Sequence, residues 1–98
     1  MKRHEMHLAA EAGEFCTERS HGELPRLRTH IRKIIEDGDS IVIHRDGVKM
    51  LTTSFIDELL SATALDLSFE IVRASVFFLP ELEDLYWEQV TRGVRLRK

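Results

Sequence analysis

The run Ser40-Ile41-Val42-Ile43-His44 constrains this chain more than any other stretch. It is β-branched, too short for a helix, and bounded by Asp37-Gly38-Asp39 on one side and Asp46-Gly47 on the other, so it reads as a buried central strand. The next segment is equally well marked. After a connection over Val48 to Thr53, the residues Phe55, Ile56, Leu59, Leu60 and Thr63 recur on one helical face, and a helix is expected to open at Phe55. Ser54-Phe55-Ile56-Asp57 has the form of a capping box with Asp in place of Glu, which makes Ser54 the expected N-cap. Asp57 and Glu58 then stand where the positive end of a helix favours carboxylates.

Upstream, Leu24, Leu27, Ile31, Ile34 and Ile35 keep helical spacing through Glu36, and Gly38 supplies the stop. The opposite face carries Arg26, Arg32 and Lys33, with Arg28 and His30 at its flanks. A helix followed by a strand predicts a layered α/β domain. Met6 to Thr17 reads as two short extended pieces around Gly13. Downstream, Ser68 to Arg73 alternates as a strand would, with Phe69 and Ile71 on one side. Pro80 is expected to open a last helix with Leu79, Leu82, Tyr86 and Val90 as its inner stripe, leaving Trp87 outside that stripe. Val94 to Lys98 reads as a frayed tail or short edge strand.

At 98 residues the chain has room for one core, and a second domain does not fit. The hydrophobic fraction of 43% and charged fraction of 32%, with only five Gly and two Pro, place it among globular rather than disordered chains. A formal charge of −3 argues against broad nucleic-acid binding, which needs a basic face. Cys16 is the only cysteine, so no internal disulfide or multi-cysteine metal cage can form, and a cytoplasmic setting is expected. The charged opening Met1 to Glu5 leads into no apolar stretch of signal-peptide length, and no apolar run approaches the ~20 residues of a membrane helix, so no membrane partner is expected.

The segment Gly38 to Leu60 resembles the hallmark of the STAS-like domains of unknown function. A hydrophobic strand leads through the Gly47-Val48 turn into Thr53-Ser54-Phe55 and the Asp57-Glu58-Leu59 helix. Leu27-Arg28 and the turn from Glu36 to Asp39 extend the resemblance to about residues 19 to 90. It implies a relative of the anti-sigma-factor antagonist domains: a single α/β domain spanning residues 1–98, with a small mixed sheet of about four strands packed by about three helices. It also implies a docking role toward ATP-binding, kinase-like anti-sigma factors. Two positions depart from the pattern: His44-Arg45 replaces an Asp-aromatic pair, and Thr52 replaces an acidic residue two positions before the switch serine.

Ser54 matches the phosphorylated serine of the antagonist domains, and the start of a helix suits an added phosphate. The plainer role for the same residue is an N-cap. Thr52 and Thr53 are backup acceptors. Asp57, Glu58 and Ser61 are expected to project away from the Ile56-Leu59-Leu60 face, into solvent, where they would meet a protein partner. His44, at the C-terminal end of a strand, stands where open α/β sheets tend to bind ligands. The five histidines show no ligating pair on a credible helix, so no metal or other cofactor is expected. No nucleophile-elbow glycines flank Ser54, and the chain reads as a binding module rather than an enzyme. Alternatives are a structural unit that self-associates as a homodimer, with Trp87 in the contact, or a small ligand-binding domain centred on His44.

Overall fold

In the computed structural model, which describes residues 1–98, Ser40–His44 is the middle strand, as its composition requires. The elements in chain order are β1 (Arg3–His7), α1 (Leu8–Ala12), β2 (Phe15–Cys16), α2 (Leu24–Glu36), β3 (Ser40–His44), β4 (Met50–Leu51), α3 (Thr53–Leu67), α4 (Phe69–Ser75), β5 (Val76–Leu79) and α5 (Asp84–Arg97). The main sheet has the order β1-β3-β5 with both pairings parallel, and β2 pairs with β4, also parallel, in a second small sheet. The chain is thus a single α/β domain with five helices and two parallel sheets, where a mixed sheet with about three helices is expected from the resemblance.

Strand order explains the layering. Both crossovers step in the same direction, and parallel crossovers are right-handed, so all their helices fall on one face of the sheet. The register shows that face. Met6, Ile41, Ile43, Val76 and Phe78 point into the hydrophobic core with Leu27, Ile31, Phe55, Ile56, Leu59 and Leu60 from the helices. Each fully buried aliphatic or aromatic side chain there contributes about 1.5–3 kcal/mol. The intervening residues Glu5, His7, Val42, His44, Phe77 and Leu79 lie on the other face, where Glu5, His7, Phe77 and Leu79 are exposed and only Val42 is buried.

Local signals fix the end of α2 and the turn after β3. Helix α2 stops at Gly38, φ +79°, with Asp39 N–H donating to the Ile34 carbonyl and Gly38 N–H to the Ile35 carbonyl, both at 3.0 Å, a Schellman pattern. The turn after β3 needs Gly47, φ +87°, where a Cβ would also press on Ala9 at 3.2 Å.

Four expectations are corrected. The first strand begins at Arg3, and Leu8 to Ala12 is a helical turn rather than an extended piece, in keeping with its Ala-rich composition. Ser68 to Arg73 is no strand: the Ser68 hydroxyl accepts the Ile71 N–H at 3.1 Å and caps α4, with Glu70 in the first turn and Arg73 in the last. The strand is Val76–Leu79, whose side chains alternate buried and exposed. Pro80 follows that strand instead of opening α5, which starts at Asp84 and runs through Arg97, so the expected tail is helical. Trp87 is buried at 7% exposure against Phe78 and Phe69, both edge-on with centroids at 6.2 Å, and is no surface contact. No helix is long and apolar enough to cross a membrane.

Candidate functional site

Thr52, not Ser54, caps α3. Thr52 N–H donates to the Cys16 carbonyl at 3.0 Å, extending the β2–β4 pairing, and holds Thr52 in the extended conformation (φ −100°, ψ 157°) that an N-cap requires. Its Oγ1 accepts the Phe55 N–H at 3.3 Å and lies 3.1 Å from the Thr17 carbonyl. Ser54 therefore sits inside the first turn, with its Oγ 3.1 Å from Thr52 Oγ1. Thr52, Thr53 and Ser54 are all half-buried at one surface. Beside them, the ribbon presents Phe15 and Met50, register partners that are 56% and 54% exposed.

The expectation that Asp57, Glu58 and Ser61 project into solvent is corrected. Asp57 is 2% exposed and Ser61 fully buried, because α5 lies across that side of α3. Ser61 Oγ donates to Asp57 Oδ1 at 2.6 Å, Arg97 Nη1 donates to the same oxygen at 3.2 Å, and Arg19 Nη1 reaches Asp57 Oδ2 at 3.0 Å. Glu58 accepts from Arg19 at 2.9 Å and from Arg97 at 3.0 Å, while Arg28 donates to its backbone carbonyl at 3.1 Å. A carboxylate at this depth is tolerated because it is paired and hydrogen-bonded. These residues form a latch that joins α3 to α5 and to the loop before α2. The helix that carries them is buried almost all round from Phe55 to Ala64, with Asp57, Ser61 and Thr63 among its buried residues, because it is covered on more than one side.

The basic face of α2 is engaged within the chain. Arg26 meets Glu11 and Glu23, each at 2.9 Å; Arg32 meets Asp66 at 2.6 Å; and Lys33 meets Asp37 at 3.2 Å. These contacts raise the Arg26 and Arg32 pKa values, chiefly through the hydrogen bonds they donate to Glu23 and Asp66 respectively.

A cleft of about 610 Å³ opens past the C-terminal ends of β3 and β5, between the β3–β4 loop and the start of α5, where parallel sheets commonly receive ligands. Arg45, on its rim, is a clamp. Its N–H donates to the Leu79 carbonyl at 2.7 Å, its Nη1 donates to the carbonyls of Pro80 and Glu81 at 3.1 and 2.9 Å, and its guanidinium lies 5.9 Å from the Tyr86 ring centroid. Tyr86 donates its hydroxyl to the Leu51 carbonyl at 2.8 Å, tying α5 to the ribbon.

His44 lies on the open face of the sheet, outside this cleft. Its Nε2 is 2.8 Å from Glu5 Oε1 and its ring stacks on His7 with centroids 4.4 Å apart. The hydrogen bond with His44, then the charge of His44, hold the Glu5 carboxyl below its ordinary range. His4 points to the other side and holds Asp39 at 3.0 Å, lowering that carboxyl in the same way. Cys16 is fully buried, and burial pushes its thiol pKa up, the opposite of what a reactive thiolate needs.

Compared with known proteins, the chain matches no family model, no curated protein and no solved structure.

Proposed function

We propose that the chain is a regulatory protein-binding module of the STAS-like, anti-sigma-factor-antagonist kind, cytoplasmic, which docks an ATP-binding, kinase-like partner through the β2–β4 ribbon and the start of α3. One observation carries this reading: the exposed pair Phe15 and Met50 lies on the ribbon whose second strand leads through Thr52 into the half-buried Thr53 and Ser54 at the start of α3. The apolar pair supplies contact area, and the hydroxyl lies at the end of a helix that favours negative charge.

Phosphate transfer would form a bond between Ser54 Oγ and the γ-phosphorus of ATP, break the bond to the β-phosphate bridge, and release ADP, with the hydroxyl proton passing to a base of the kinase. The chain is the acceptor in this step and not the catalyst. The product would carry about −1.5 to −2 charges. The nearby carboxylates of Asp57 and Glu58 oppose it less than their spacing in sequence suggests, because Arg19 and Arg97 neutralise both.

The test is a reconstitution with a purified anti-sigma-type serine kinase and ATP. Expected are a complex that Met50→Asp weakens and a label that Ser54→Ala abolishes while binding persists. Label retained in Ser54→Ala overturns the switch, and binding indifferent to Met50→Asp overturns the docking surface.

A further inference from the structure

Strand β1 ends the main sheet on the side away from β5, and no strand lies along its outer side. The Ser40 N–H donates to the Lys2 carbonyl at 3.0 Å, and peptide groups alternate in direction along a strand, so Lys2, His4 and Met6 turn theirs toward β3 while Arg3 and Glu5 turn theirs outward. Both outward residues are exposed, and the elements packed along β1 are β3 and the helical turn α1 that follows it. The N–H and C=O groups of Arg3 and Glu5 therefore face a surface that a further strand can reach.

The same two residues carry opposite charges on one face of the sheet. Arg3 makes no ion pair within the chain, and of the Glu5 carboxylate only Oε1 is engaged, by His44 Nε2 at 2.8 Å. Charges on an edge ordinarily keep it single, because a guard of one sign repels a neighbouring strand in every register. Opposite signs two residues apart repel in some registers and attract in another.

We propose that β1 pairs antiparallel with β1 of a second copy of this chain about a two-fold axis at His4, joining the two three-stranded sheets into one. The occupant is a second copy because the peptide groups and the charges are complementary to themselves in that register. It sets Arg3 of each copy opposite Glu5 of the other, so each N–H of the pair meets the opposing carbonyl and each guanidinium lies beside a carboxylate. Moving the axis to Arg3 or to Glu5 still matches outward peptide groups, but it sets Arg3 on Arg3 or Glu5 on Glu5. Like charges directly opposite are destabilising. On the axis itself, the His4 ring is bonded to Asp39 at 3.0 Å, which draws it toward its own sheet. A two-fold contact of one edge with itself closes at the dimer. The pairing uses no residue of the β2–β4 ribbon and stands whether or not that ribbon docks a kinase.

Sedimentation velocity on the full chain over a wide concentration range tests the proposal. The expected result is a monomer–dimer equilibrium whose dissociation constant rises about tenfold in Arg3→Glu and in Glu5→Arg, and returns toward the wild-type value when both changes are combined, because the swap restores the unlike pairs. Arg3→Pro removes an outward N–H and no bond to β3, so it should leave a monomer with an unchanged circular dichroism spectrum. Hydrogen exchange at the Glu5 amide should slow by about tenfold or more as the dimer forms. A chain that stays monomeric throughout overturns the proposal, as does a dimer indifferent to the charge reversals, a dimer whose Glu5 amide stays unprotected, or an assembly that grows beyond two.

Discussion

Glu5 shows how an exposed position can affect pH behaviour. Its carboxyl is held below its ordinary range by the hydrogen bond with His44, then by the charge of that ring, with His7 and Arg3 adding smaller contributions. A carboxyl whose folded pKa lies below its unfolded pKa stabilises the fold above the unfolded value, and that contribution is lost as pH falls through the folded value. The same sign holds for Asp39, lowered by its bonds from His4 and the Lys2 N–H. Thermal unfolding of the wild type and of Glu5→Gln should therefore differ near neutral pH, with the wild type the more stable, and the two should converge once pH falls below the carboxylate range. A gap that widens toward acid would refute the sign. Sequence alone placed His44 at a strand end but not its partner, because Glu5 becomes a neighbour only through the β1–β3 register.

At the scale of elements, the seam between α3 and α5 makes the sharpest claim. A Cβ at Gly93 would collide with Asp57 Oδ1 and come within 2.6 Å of Ser61 Oγ. Helix propensity alone favours Ala over Gly by about 0.8–1 kcal/mol, whereas forcing an atom into a packed seam costs about 1–3 kcal/mol. Sterics should win, so Gly93→Ala is expected to lower the urea midpoint by the equivalent of about 1–2 kcal/mol, and an unchanged or stabilised variant would refute the seam. The elements legible in sequence were those whose signals agree with one another. Helix α2 has its apolar spacing and its Gly38 stop, and β3 its bounded β-branched run, and both appear with the expected bounds. Where signals conflicted, the reading failed. Phe69 and Ile71 alternate like strand residues, yet the Ser68 cap and the order of Glu70 and Arg73 favour a helix, and tertiary packing sided with the cap. The partner role expected for Asp57 and Ser61 rested on a solvated helix face, and nothing local in α3 announces that α5 will cover it.

Across the whole molecule, stability should be graded along the strand order. Strand β3 has a hydrogen-bonded neighbour on both sides, and its Ile41, Val42 and Ile43 are all at 1% exposure or less. The β2–β4 ribbon has two residues per strand, and Phe15 and Met50 stand in solvent. It is held by a few backbone bonds, by the Thr52 cap and by the Tyr86 hydroxyl. Opening the ribbon exposes little apolar surface beyond Cys16, whereas opening β3 exposes the core. Local opening free energies track that difference. Native-state hydrogen exchange should accordingly find the β3 amides exchanging only with global unfolding, and those of Met50 and Thr52 exchanging orders of magnitude faster. The docking segment we propose would then come from the less stable part of the fold and could adjust to a partner while the sheet stays fixed, so equal protection of the ribbon and β3 would refute this gradient and make the proposed surface rigid.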